Sequence, residues 1–184
     1  MHQISEISVV NFKAIRSANF KFSSYTPLVG YNNAGKSSIL QALSWVISPS
    51  SIPKSGFNDF DQQLSVSATV SGISERVLDG LASNHRTKIE PLIQNEILSF
   101  RRTQLVPGAP VSQIRLEIFD AITANDWIPS PTGISAALSA LFPEVIEVGA
   151  MENAAEDVGK NTSTSTIGKL IKQIVDPVRL QYSA

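Results

Sequence analysis

Gly30-Tyr31-Asn32-Asn33-Ala34-Gly35-Lys36-Ser37-Ser38 is the stretch on which the reading of this chain turns. Its first eight residues satisfy G-x-x-x-x-G-K-[ST], and each fixed position answers to a need of a phosphate chain. Such a chain is bulky and multiply charged. The backbone must wrap close to it, point N–H groups inward and meet a helix N-terminus, whose dipole favours anions. Gly30 and Gly35 supply the freedom for that wrap, with Asn32, Asn33 and Ala34 between them. Lys36 is expected to reach the β- and γ-phosphates as a point charge, Ser37 to ligate Mg²⁺ through its hydroxyl, and Ser38 to add a phosphate contact. A chance match arises in on the order of 1% of chains this long. The flanks argue further against coincidence: Thr26-Pro27-Leu28-Val29 reads as a short strand entering the loop, and Ile39, Leu40, Leu43 and Val46 recur at helical spacing between Lys36 and Ile47.

Upstream, Ile4, Ile7, Val9 and Val10 lead into Asn11-Phe12-Lys13, after which Ala18, Phe20 and Phe22 alternate with polar residues. This period-2 pattern predicts two short antiparallel strands. Downstream, Pro49 to Ser55 ends the helix, Phe57 to Asp61 forms a polar-aromatic loop, and Leu64, Val66, Ala68 and Val70 alternate as a third strand. Ser74-Glu75 predicts a capped helix to about Ser83, with another from Lys88 to Ile93. Ile97–Leu105 and Gln113–Phe119 read as a hairpin across Val106-Pro107-Gly108-Ala109-Pro110. A short helix over Ile134–Leu141, a strand over Val145–Val148, a polar loop over Met151–Ser163 and a helix from Thr164 or Ser165 to Val175 complete the pattern.

The 184 residues suit one domain, with 42% hydrophobic and 17% charged residues. Fifteen Lys and Arg against 16 acidic residues supply no global basic field for nucleic acid, so any such contact is local. The absence of Cys excludes disulfides and thiolate metal sites and fits a reducing compartment. No run reaches the ~20 apolar residues of a membrane span, so a soluble, cytoplasmic protein is expected. His2 and His85 lack partners at metal-ligand spacing.

Kinases and small GTPases usually open on the P-loop strand, whereas two strand-like segments precede it here, and the guanine-reading N-K-x-D does not occur. Ile4-Ser5-Glu6-Ile7-Ser8-Val9-Val10-Asn11-Phe12-Lys13-Ala14-Ile15, followed by the glycine-rich loop, resembles the opening of RecF/RecN/SMC-like ATPases. The doubled Asn before Ala-Gly-Lys-Ser-Ser is similar to the overcoming-lysogenization-defect (OLD) family and related anti-phage defence ATPases. The match is closest over residues 1–47 and looser to about 175.

The resemblance implies an α/β fold of the P-loop NTPase type, an ABC-type N-terminal lobe with a mixed sheet and an antiparallel β part. Residues 1–25 would be leading strands, 26–47 the P-loop strand and helix, 57–150 a mixed β/α part, and 151–184 a polar loop and exit helix. It also implies ATP and Mg²⁺ as ligands. Lys13 becomes a contact to phosphate or adenine, against its reading as a solvated lysine. Asp59 and Asp61 come near the metal, and Gln62 or Gln63 touches water or Mg²⁺, against their reading as a polar turn. Arg101 and Arg102 face either nucleic acid or solvent.

Hydrolysis also requires a metal-facing carboxylate ending an apolar strand, a base and charge stabilisation. Leu116-Glu117-Ile118-Phe119-Asp120, Val77-Leu78-Asp79 and Ile174-Val175-Asp176 each fail that pattern, and no Ser-Gly-Gly-Gln signature occurs. The expectation is therefore a half-site, completed by a C-terminal lobe of a longer protein and by a second head, with a nuclease domain in OLD-like members. A compact P-loop kinase and a scaffold lobe with a vestigial P-loop remain the alternatives.

Overall fold

The computed structural model describes residues 2–32, 34–121, 123, 125–142 and 145. The chain divides into Met1–Pro143 and Glu144–Ala184, and every element below belongs to the first unit. Residues 146–148 of the strand expected over Val145–Val148, the loop over 151–163 and the helix over 164–175 lie outside the described residues, as does Asn33.

Six strands form one sheet in the order β2-β1-β3-β4-β5-β6. They are β1 Gln3–Phe12, β2 Ile15–Lys21, β3 Leu64–Ser71, β4 Leu98–Gln104, β5 Arg115–Asp120 and β6 Asp126–Pro129. Every pairing is antiparallel. In β3, Leu64, Val66, Ala68 and Val70 are buried while Ser65, Ser67, Thr69 and Ser71 turn to the other face, the signature of a sheet covered on one side.

Helix α1, Lys36–Ile47, lies against β1 and β3. Of the apolar positions read at helical spacing, Ile39 and Val46 are buried while Leu40 is 47% exposed. Ala42 and Trp45 complete the buried stripe, and the Trp45 ring meets Phe12 at 6.2 Å. Helix α4, Ile134–Leu141, buries Ile134, Ala137, Leu138 and Leu141 in the same core cluster. His2 near the start of β1 donates Nε2–H to the Leu141 carbonyl at 2.6 Å, joining the outset of β1 to the end of α4.

Three expectations need correction. The α/β combination of sheet and helices stands, but Thr26–Val29 is irregular, so no parallel strand makes the sheet mixed among the described residues. A strand exists by pairing, and no described strand pairs with this segment. Second, the helices after β3 are α2, Glu75–Asp79, and α3, Ser83–Ile89, followed by a 3₁₀ turn at Glu90–Leu92. Gly80 ends the first early, and Pro91 can open a tight turn but not continue a helix. Third, Arg102 faces neither nucleic acid nor solvent: it is 3% exposed, on the buried face of β4 beside Leu98, Phe100 and Gln104. Arg101 points the other way, paired with Glu117 at 2.9 Å and stacked over Trp127 at 4.7 Å. Strand β6 was not anticipated, being four residues that end in a proline, which suits a sheet edge.

Candidate functional site

The P-loop folds where the antiparallel sheet hands over to α1. Gly35 takes φ +87°, a left-handed value that a side chain would strain, and thereby turns the chain directly into the first helical residue, Lys36. Ala34 N–H donates to the Tyr31 carbonyl at 3.2 Å, and Ile39 N–H to the Gly35 carbonyl at 3.0 Å. The N-terminus of α1 carries no side-chain cap and no acidic residue in its first turn. Its leading N–H groups therefore keep their affinity for an anion.

A cleft of about 600 Å³ opens there, lined by Ala14, Asn32, Gly35, Lys36, Ser37 and Ser38. Lys36 Nζ donates to the carbonyls of Gly30 at 2.8 Å and Tyr31 at 2.7 Å, so its ammonium lies along the loop. Ser38 is buried, whereas Ser37 is exposed in the cleft wall. Helix-terminal N–H groups, an ammonium and hydroxyls are a donor set that fits a phosphate chain, and Ser37 Oγ is the one cleft hydroxyl at the position that suits Mg²⁺. The described lining includes no carboxylate. Among the described residues, no group of three or more His, Asp or Glu is placed to hold a metal ion by itself.

The remaining predicted residues assemble elsewhere. Asp59, Gln62 and Gln63 line a separate cleft of about 670 Å³ with Val10, Asn11, Arg16, Asn58 and Phe60, and this cleft shares no lining residue with the first. Asp61 donates its N–H to Asp59 Oδ1 at 3.0 Å, part of a tight polar turn. Lys13 stands between the two clefts: its Nζ donates to Gln41 Oε1 on α1 at 2.6 Å, while its neighbour Ala14 lines the P-loop cleft.

The residue that sequence reasoning passed over is Asn11. It is 5% exposed, takes φ +60°, and spends its whole amide on backbone atoms of the loop 59–63. Nδ2 donates to the carbonyls of Asp59 at 2.7 Å, Gln62 at 2.8 Å and Gln63 at 3.2 Å, and Oδ1 accepts from Asp59 N–H at 2.6 Å. Its position in the Asn-Phe-Lys string was the only available signal, because its partners lie about fifty residues on in the chain.

No helix among the described residues is long and apolar enough to cross a membrane. Comparison with known proteins agrees with the geometry of the loop. A family model described as an AAA ATPase domain matches residues 3–101, which span both leading strands, the P-loop, α1 and β3. The chain is also 34% identical over 181 residues, 98% of its length, to the Old nuclease of Escherichia phage P2. It spans 30% of that protein. With more than half of its residues inside the family model, this chain belongs to the AAA ATPase domain family.

Proposed function

We propose that this chain binds ATP with Mg²⁺ as the N-terminal half of an ABC-type ATPase head, within a longer OLD-like protein of DNA-related or anti-phage function. The observation that carries the reading is the P-loop cleft: a left-handed Gly35, an uncapped helix N-terminus, and Lys36, Ser37 and Ser38 on one wall. Triphosphate lies over the N-terminus of α1, Lys36 moves from the carbonyls of Gly30 and Tyr31 to the phosphates, and Ser37 supplies one metal ligand. Lys13, whose neighbour Ala14 lines the cleft and whose Nζ is tied to Gln41 of α1, is assigned as a further contact.

Hydrolysis would draw its metal-facing carboxylate and its charge-stabilising groups from the rest of the parent and from a second head. The end of the segment Thr26–Val29 supports this, since Val29 and Tyr31 are each 92% exposed and suit cover by a parallel strand from elsewhere in the protein. A nuclease effector in the longer protein is part of this reading, supported by the name of the phage P2 relative.

Titration of full-length protein with a fluorescent ATP analogue and Mg²⁺ tests the grip. Lys36→Ala removes charge-assisted bonds worth about 1.5–3 kcal/mol, so affinity is expected to fall by roughly 10- to 150-fold. Undiminished binding by Lys36→Ala would overturn the reading.

A further inference from the structure

The tip of the β1–β2 hairpin touches both clefts, and its backbone adopts left-handed φ at two side-chain-bearing residues, Asn11 at 60° and Lys13 at 51°. Such conformations concentrate where surrounding contacts hold them for a purpose. Toward the P-loop, the tip is tied by Lys13 Nζ to Gln41 Oε1 on α1 at 2.6 Å, and by Ala14 in the cleft wall. Toward the second cleft, Lys13 N–H donates to the Gly56 carbonyl at 2.8 Å, Asn58 Nδ2 to the Lys13 carbonyl at 2.9 Å, and Phe12 forms a bridge with Phe57.

Asn11 closes this arrangement. Nδ2 faces three carbonyls and Oδ1 faces an N–H, so only one orientation of the amide satisfies all four contacts. Backbone groups of the loop 59–63 thus converge on one buried side chain, itself two residues from the lysine that grips the P-loop helix. We propose that Asn11 is a positioning residue through which the P-loop cleft and the loop Asn58–Gln63 answer to one another: ligand at the first changes the order of the second. The proposal rests on nucleotide binding at the P-loop, and it assigns Asp59, Gln62 and Gln63 the part of a responding surface.

Hydrogen exchange on the full-length protein, with and without Mg²⁺ and a non-hydrolysable ATP analogue, tests it. In the wild type, the analogue is expected to change exchange of the amides at 58–63 by about fivefold or more, the lower range of coupling between sites. Asn11→Asp keeps the shape and tolerance of left-handed φ but turns a carboxylate on three carbonyls. It should abolish that response while the analogue still binds in a Lys36-dependent way. Gln41→Leu, which frees Lys13 from α1, should weaken it too. A response that survives both substitutions overturns the proposal. Should Asn11→Asp lose its native circular dichroism, the wild type and Gln41→Leu decide. Lys36-dependent binding with no loop response in the wild type removes the coupling alone, and absence of binding removes the nucleotide reading with it.

Discussion

Arg102 shows how far one residue can depart from what its type suggests. Both of its partners are uncharged, the Val46 carbonyl at 2.8 Å from Nε and the Ser135 hydroxyl at 3.3 Å, and burial pushes its pKa down to about 10. The Val46 carbonyl belongs to the last turn of α1, where the helix dipole favours a cation. The side chain thereby pins the P-loop helix to β4 and reaches α4. Arg102→Ala leaves a cavity and an unpaired helix end, and is expected to cost about 2–4 kcal/mol in chemical unfolding. Arg102→Met fills the volume without an unneutralised charge and should cost less than about 1.5 kcal/mol. Equal losses would show that the hydrogen bonds, not packing, hold the site. Neither Arg102 nor Asn11 was legible in the sequence, for one physical reason: each is satisfied by backbone carbonyls that only the folded chain brings near. Gly30, Gly35, Lys36 and Ser37 were legible because their roles are set by local spacing.

At the scale of elements, α1 and α4 appeared within their expected bounds, since each combines a left-handed glycine immediately before its first residue with a continuous apolar stripe. The pair α2 and α3 did not, because short helices rest on tertiary ties more than on propensity. Their tie is Arg86, which contacts Glu75 and Asp79 from α2 and Glu90 just past α3, the last at 2.9 Å. The Arg86 guanidinium holds the Glu90 carboxyl below its ordinary 4.5. A depressed acid binds its proton less readily when folded, so it stabilises the protein above the unfolded pKa and loses that contribution as pH falls through the folded one. Urea midpoints measured from pH 6 down to about 3 should therefore decline less steeply in Glu90→Gln than in the wild type. Matching slopes would remove Glu90 from the acid response.

For the whole molecule, one covered sheet face and a helix end opening on the P-loop cleft organise the first unit. Alternation in β1, β3 and β4 made the sheet readable, while the place of Thr26–Val29 was not, because pairing depends on a neighbour that spacing does not reveal. The 92% exposure of Val29 yields a test at this scale. If the longer protein covers this segment, Val29→Asp in the full-length chain should lower stability by about 1.5–3 kcal/mol, the worth of a buried valine. An exposed position would shift by no more than about 0.5 kcal/mol. A neutral result from thermal unfolding would leave the segment without its cover.

The bonds from Lys36 to Gly30 and Tyr31 bear on affinity as well. A lysine that plugs its own loop makes every arriving phosphate an exchange reaction, and apparent affinity scales with the fraction of molecules whose plug has swung out. Occupancy would then be metered by the loop before chemistry begins.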